Sequence, residues 1–189
     1  MSNNTKINSL VLTALMIAIV TIGTLIIRIP SPTQGYVNLG DGMVFMSVLL
    51  LGKRNGAIAA SVGSALGDII GGYPVWAPWT FVIKGLMAIV LGLLIEKIIS
   101  SDKPQLKFLN TPISEILALS ISGFVMVIGY YIAKAVMINN WIVPLVGIPA
   151  NIFQFSVGLL IAILVSNTLY KTSSKSLFVY RLDKLRSKK

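Results

Sequence analysis

Six apolar stretches, at about 8–27, 37–52, 56–71, 76–99, 112–138 and 143–170, take up most of this 189-residue chain. About 20 consecutive apolar residues make one helical crossing of a bilayer, and lipid offers backbone polar groups no alternative partner. The sequence therefore predicts an all-α integral membrane protein. It is read as a single six-helix domain over 1–189, a compact bundle of six transmembrane helices with a basic tail at 171–189. Composition agrees, with 55% hydrophobic and 12% charged residues. The first stretch is too long for the apolar region of a signal peptide, and no small-residue cleavage site follows it, so it counts as a span.

The net charge of +10 is not a nucleic-acid signal, because the basic residues lie mainly in short loops and the tail. If the N-terminus is cytoplasmic, thirteen of the 16 Lys and Arg fall inside, among them Lys6, Lys53, Arg54, Lys97, Lys103 and Lys107. Only Arg28 remains in an outer loop. The positive-inside rule thus places both termini in the cytoplasm, with the tail resting on the anionic membrane surface. Cysteine and histidine are both absent. That excludes disulfides, Cys or His metal sites and imidazole or thiolate chemistry, and no cofactor or metal is expected.

The remaining polar residues gather at one depth. Asp41 opens the second span, Asp68 closes the third, Lys84 is early in the fourth and Lys134 late in the fifth. Asn151 and Gln154 lie two to three turns into the sixth. With alternating helix directions all of these fall in the outer half of the membrane, while the inner halves are almost purely apolar. A charge at membrane depth costs about 2.5 to 3.5 kcal/mol on insertion scales, so four at one level need a compensating role. Helix-end placement accounts for Asp41 as readily as a site does, and Lys134 can snorkel outward. Trp76, Thr80 and Lys84, spaced by four, share a helical face. Trp76, Trp79 and Trp141 also suit an interfacial aromatic belt.

Together, Asn38, Asp41, Asp68, Trp76, Trp79, Lys84, Tyr130, Tyr131, Lys134, Asn151 and Gln154 are the candidate substrate-binding residues. They describe an outward-facing pocket with a closed bottom. A pore needs polar lining through both halves, and no inverted repeat or pair of broken helices marks an alternating-access carrier. On the first span Ala14 and Ala18 leave a smooth strip where another helix can approach, and the spacing alone favours ordinary internal packing. Gly56, Ala60, Gly63 and Gly67 strip one face of the third span for close helix contact.

The segment YVNLGDGMVFMSVLLLGKRNGAIAASVGSALGDIIGGYPVWAPWTFVIKG resembles the S component, the substrate-binding subunit, of energy-coupling-factor (ECF) vitamin transporters. Chain length, six spans and the Ala14-x-x-x-Ala18 strip fit the same family. The resemblance implies a high-affinity capture subunit in a prokaryotic plasma membrane. Its partners would be a transmembrane coupling subunit, docked at Ala14 and Ala18, and two cytoplasmic ATPase subunits. The chain itself has no GxxxxGK[ST] phosphate loop and is not expected to be an enzyme. Family members for nickel or cobalt rely on an N-terminal histidine that is missing here.

The expected ligand is a small heteroaromatic ring, hydroxymethyl-pyrimidine or a vitamin B6 vitamer, stacked on Trp and Tyr and bonded by Asn151, Gln154, Lys84 and Asp68. Riboflavin and pantothenate are the alternatives within the family. From other classes come an autonomous proton-coupled secondary transporter using Asp68 and Lys84, and an intramembrane enzyme with a Ser64 and Lys84 dyad.

Overall fold

The computed structural model describes residues 3–30, 36–101, 106–108 and 111–180. Its helices are α1 (Asn3–Ile26), α2 (Gly40–Ile70), α3 (Ala77–Ser101), α4 (Ile113–Ile138) and α5 (Ile148–Tyr170). Among the described residues, four apolar segments are long enough to cross a membrane: Lys6–Ile26, Gly40–Ile70, Ile113–Ile138 and Val143–Tyr170. Helix α3 is of similar length but carries Lys84, Glu96 and Lys97.

Among the described residues there are five α-helices where the sequence predicts six spans, because the expected second and third spans are one element, α2. That element is not straight. Gly52 has φ 77 and ψ 177, which only glycine adopts without strain, and it folds α2 into two arms, 40–51 and 53–70. The fold-back is tight. Ser47 Oγ lies 2.7 Å from Val44 O and 3.1 Å from Gly56 O, a contact that a straight helix forbids between residues nine apart. A Cβ on Gly56 would sit 2.7 Å from Val48 Cα. The expected glycine stripe thus serves packing, and further along the second arm Gly63 meets α1, whose Thr21 hydroxyl donates to Gly63 O at 2.9 Å.

The chain is not purely helical. Strands β1 (Arg28–Pro30) and β2 (Tyr36–Asn38) pair antiparallel where a plain loop was expected, with Ile29 opposite Val37. A second small ribbon joins β3 (Lys107–Phe108) to β4 (Thr111–Pro112). The expected sixth span begins as a 3-10 turn, Val143–Gly147, before α5. Loop residues 31–35, Lys103 in the loop after α3, and the tail from 181 lie outside the described residues.

Phe45, Leu49, Met87, Leu91, Leu119 and Met126 are fully buried between the helices. Leu10, Ile22, Leu86, Ile128 and Leu164 face outward, at least half exposed, as lipid-facing side chains must. One end of the bundle gathers Ser9, the Gly52 fold, Glu96 and residues 178–180, joined by Asn55 Nδ2 donating to Ser9 Oγ and by Lys53 paired with Glu96. The other end gathers β1 and β2, Asp68, Trp76 and the start of α5. At the described start of the tail, Phe178 and Tyr180 are not on a surface but buried, Tyr180 against α2.

Candidate functional site

The polar residues at that second end form two tiers. The outer tier lines a cavity of about 50 Å³, room for a few waters. Its walls draw on β2, α2, α3, α4, the 3-10 turn and α5. Strand β2 supplies Tyr36, Val37 and Asn38; the end of α2 supplies Asp68; Trp76 lies in the turn just before α3 and Thr80 in the first turn of α3. From α4 come Tyr130, Tyr131 and Lys134, and Pro144, Gly147, Ala150 and Asn151 close the far side.

Aromatic rings frame this cavity at tilted angles. The Trp76 and Tyr130 ring centroids lie 6.1 Å apart, and Tyr131 packs at 6.0 Å from Trp141 while its hydroxyl donates to Trp141 O at 3.0 Å. Lys134 Nζ stands 5.8 Å from the Trp76 ring centroid, within cation–π range. Tyr36 donates to Asp68 Oδ1. Burial, reinforced by the Asp68 carboxylate, pushes the Tyr36 phenol well above its usual range, so it stays a donor at physiological pH. Asp68 Oδ2 is buried without a well-aligned partner among the described residues, with Thr80 in its electrostatic neighbourhood. A buried oxygen in that state has room for one more donor.

The inner tier lies beneath the cavity and is dry. Asp41 is fully buried and Lys84 is 2% exposed; Lys84 Nζ pairs with Asp41 Oδ1. Gln154 Nε2 donates to Asp41 Oδ2 at 3.0 Å, and Gln154 Oε1 accepts from the backbone N–H of Asn38, also at 3.0 Å. Met126 Sδ lies 3.0 Å from Lys84 Nζ. This cluster ties together α2, α3, α4 and α5 and supports strand β2 from below. Tyr130 bridges the tiers: its hydroxyl donates to Thr80 Oγ1 at 3.2 Å, and Lys84 Nζ lies 5.4 Å from its ring centroid.

The structure therefore separates the residues that the sequence groups by depth. Asn38, Asp68, Trp76, Tyr130, Tyr131, Lys134 and Asn151 line the cavity. Asp41, Lys84 and Gln154 lie below it, and Trp79 packs against the hydrophobic core. Tyr36 was missed, and so was Thr80 as a lining residue. Thr80 shares the helical face of Trp76, which is a usable signal, whereas nothing local marks Tyr36 because its position depends on the β1–β2 pairing. Ala14 and Ala18 are exposed on α1, and Ala14 borders a groove that also contains Asn55 and Ile58.

Fold and site together define a class: a multi-pass membrane protein with an aromatic-walled cavity at one end of a helical bundle. The family model "ECF-type riboflavin transporter, S component" matches residues 4–171, and the chain belongs to that family. That family is named for the S component of a transporter. A solved structure described as the S component of a bacterial ECF transporter superposes with a TM-score of 0.69 at 20% identity, covering 88% of this chain and 97% of that one. A Pyrococcus woesei protein, described as an uncharacterized protein in the gap 3′ region, is 49% identical over 74 residues, 39% of this chain. The match spans about half (49%) of that relative's length.

Proposed function

We propose that this chain is the high-affinity capture subunit of an ECF importer and that its cargo is riboflavin. The observation that carries the proposal is the riboflavin-family match over residues 4–171 in a chain whose cavity combines aromatic walls with several separate polar groups. A tricyclic ring suits the Trp76, Tyr130 and Tyr131 walls by stacking. The polyol chain of riboflavin suits Asn38, Asp68, Thr80 and Asn151, which can each exchange hydrogen bonds with hydroxyls.

The sequence argument for a smaller ring loses two of its four polar contacts, because Lys84 and Gln154 are engaged with Asp41. The present cavity is smaller than a vitamin, so capture entails movement of rim side chains. In this reading α2 counts as two spans, giving six in a single domain, both termini are cytoplasmic and the cavity opens outward in a prokaryotic plasma membrane. The exposed Ala14 and Ala18 strip receives the coupling subunit, and two ATPase subunits supply the energy.

Titration of the purified protein, followed by Trp fluorescence, tests the cargo. Riboflavin should bind at least a hundredfold more tightly than hydroxymethyl-pyrimidine, pyridoxine or pantothenate. Tight binding of one of the latter three, with riboflavin inert, would replace the proposed cargo. Uptake by the lone chain, driven by a proton gradient without ATPase partners, would favour the secondary-transporter alternative.

A further inference from the structure

The fold at Gly52 creates a local problem that the C-terminal segment solves. Breaking a helix leaves carbonyls at the end of the first arm, and N–H groups at the start of the second, without helical partners. The 3-10 turn Ser173–Leu177 gives way to extended backbone at Phe178; Phe178 and Tyr180 are buried, while Leu177 and Val179 are more than half exposed. Its backbone reaches the first arm: Val179 N–H donates to Leu50 O at 3.0 Å and Tyr180 N–H to Leu49 O at 3.3 Å.

The Tyr180 hydroxyl reaches the second arm. It accepts from Lys53 N–H at 3.0 Å and donates to Glu96 Oε1 on α3 at 2.9 Å. From α5, Tyr170 donates its hydroxyl to Tyr180 O at 2.7 Å, and its ring stacks on Phe178 with centroids 4.2 Å apart. One short segment thus caps both arms of α2 and fastens them to α3 and α5. The far ends of the same arms carry Asp41 and Asp68.

We infer that residues 178–180 form a latch that fixes the Gly52 hinge and thereby sets the spacing of the two arm ends beside the cavity. The importance of that spacing for cargo rests on the cavity being the capture site; the latch itself does not depend on which vitamin binds. Contact with a partner at the hinge end would have a direct route to the cavity, through release of this latch.

The test uses the full-length protein without ligand. Tyr180→Phe keeps the ring and removes both hydroxyl bonds. Amide exchange at Lys53 should accelerate about tenfold, the factor corresponding to roughly 1.4 kcal/mol. Spin labels at positions 39 and 69, near the far ends of the two arms, should show a broadened distance distribution in the variant. Unchanged exchange at Lys53 would show that the hydroxyl does not hold the hinge. Faster exchange with an unchanged label distance would show that the hinge does not control the arm ends. Either result overturns the inference. Riboflavin titration of the unmodified protein separately decides the cargo, so failure of one reading is distinguishable from failure of the other.

Discussion

Replacing Lys84 with Met removes the ammonium from a site where its partner has nowhere to go. Asp41 is fully buried, and without Lys84 its Oδ1 loses its counterion while Oδ2 keeps the 3.0 Å bond from Gln154. Breaking a buried pair from one side costs about 3–5 kcal/mol, and the surviving Gln154 bond places Lys84→Met at the lower end, about 3 kcal/mol. Asp41→Asn strands the ammonium instead, beside Met126 Sδ and the Tyr130 ring, at a similar cost. The double variant carries no buried charge at this site, and an Asn carbonyl still accepts from Gln154, so it should fall within about 1–2 kcal/mol of the parent. For a chain of this length each kcal/mol shifts the melting temperature by about 2–4 °C on the soluble-protein scale. The singles should therefore melt about 6–12 °C lower in detergent, and the double about 2–8 °C lower. Neither residue lines the cavity, so riboflavin affinity measured well below the melt should stay within about threefold for Lys84→Met, on the scale of 1.4 kcal/mol per tenfold. Two single shifts below 2 °C that simply add in the double would refute a coupled buried pair.

Gly56→Ala should lower stability by about 1–3 kcal/mol, because the added Cβ meets the backbone of Val48 and Ser47 at 2.7–2.9 Å and neither can rotate away; a thermal melt checks it. Ala14→Trp adds bulk to an exposed strip, so ligand binding should match the parent while uptake by the assembled importer is lost; equal loss of both would indicate an internal role. Burial, with the hydrogen bond to Glu96, pushes the Tyr180 phenol up to about 12. Below pH 10 it is neutral in folded and unfolded chains alike and its contribution is whole; as pH rises from 10 towards 12 the unfolded chain ionises first and that contribution is lost. The tyrosinate absorbance difference between parent and Tyr180→Phe should have its midpoint near 12, and a midpoint near 10 would count against the buried latch.

Hydropathy made the apolar segments legible because length and charge-free runs are one-dimensional properties. The Gly52 break was partly legible too. Lys53 and Arg54 marked a turn between two spans, while the close approach that keeps both arms in one element depends on Ser47, Val48 and Gly56 meeting in space. Depth was readable from helix direction, which is why Asp68, Trp76, Tyr130, Lys134 and Asn151 were found together. Depth does not say which way a side chain points. Asp41 and Lys84 share the level of the cavity residues but face one another across helices, and their pairing takes them out of its lining. The tail was the least legible part. Its basic charges pointed to a membrane surface, and the burial of Phe178 and Tyr180 depends on a groove formed by segments far back in the chain.

The pairing of Asp41 with Lys84 also has a consequence during synthesis. The carboxylate emerges 43 residues ahead of its counterion, so α2 must enter the membrane while Asp41 is still uncompensated. It is the least apolar of the four span candidates, and an unpaired Asp at membrane depth is costly. Stable insertion of the first arm is therefore expected to wait for α3, which brings Lys84. A chain halted at residue 80 should leave the first arm inefficiently integrated, and one extended through residue 101 should integrate it fully.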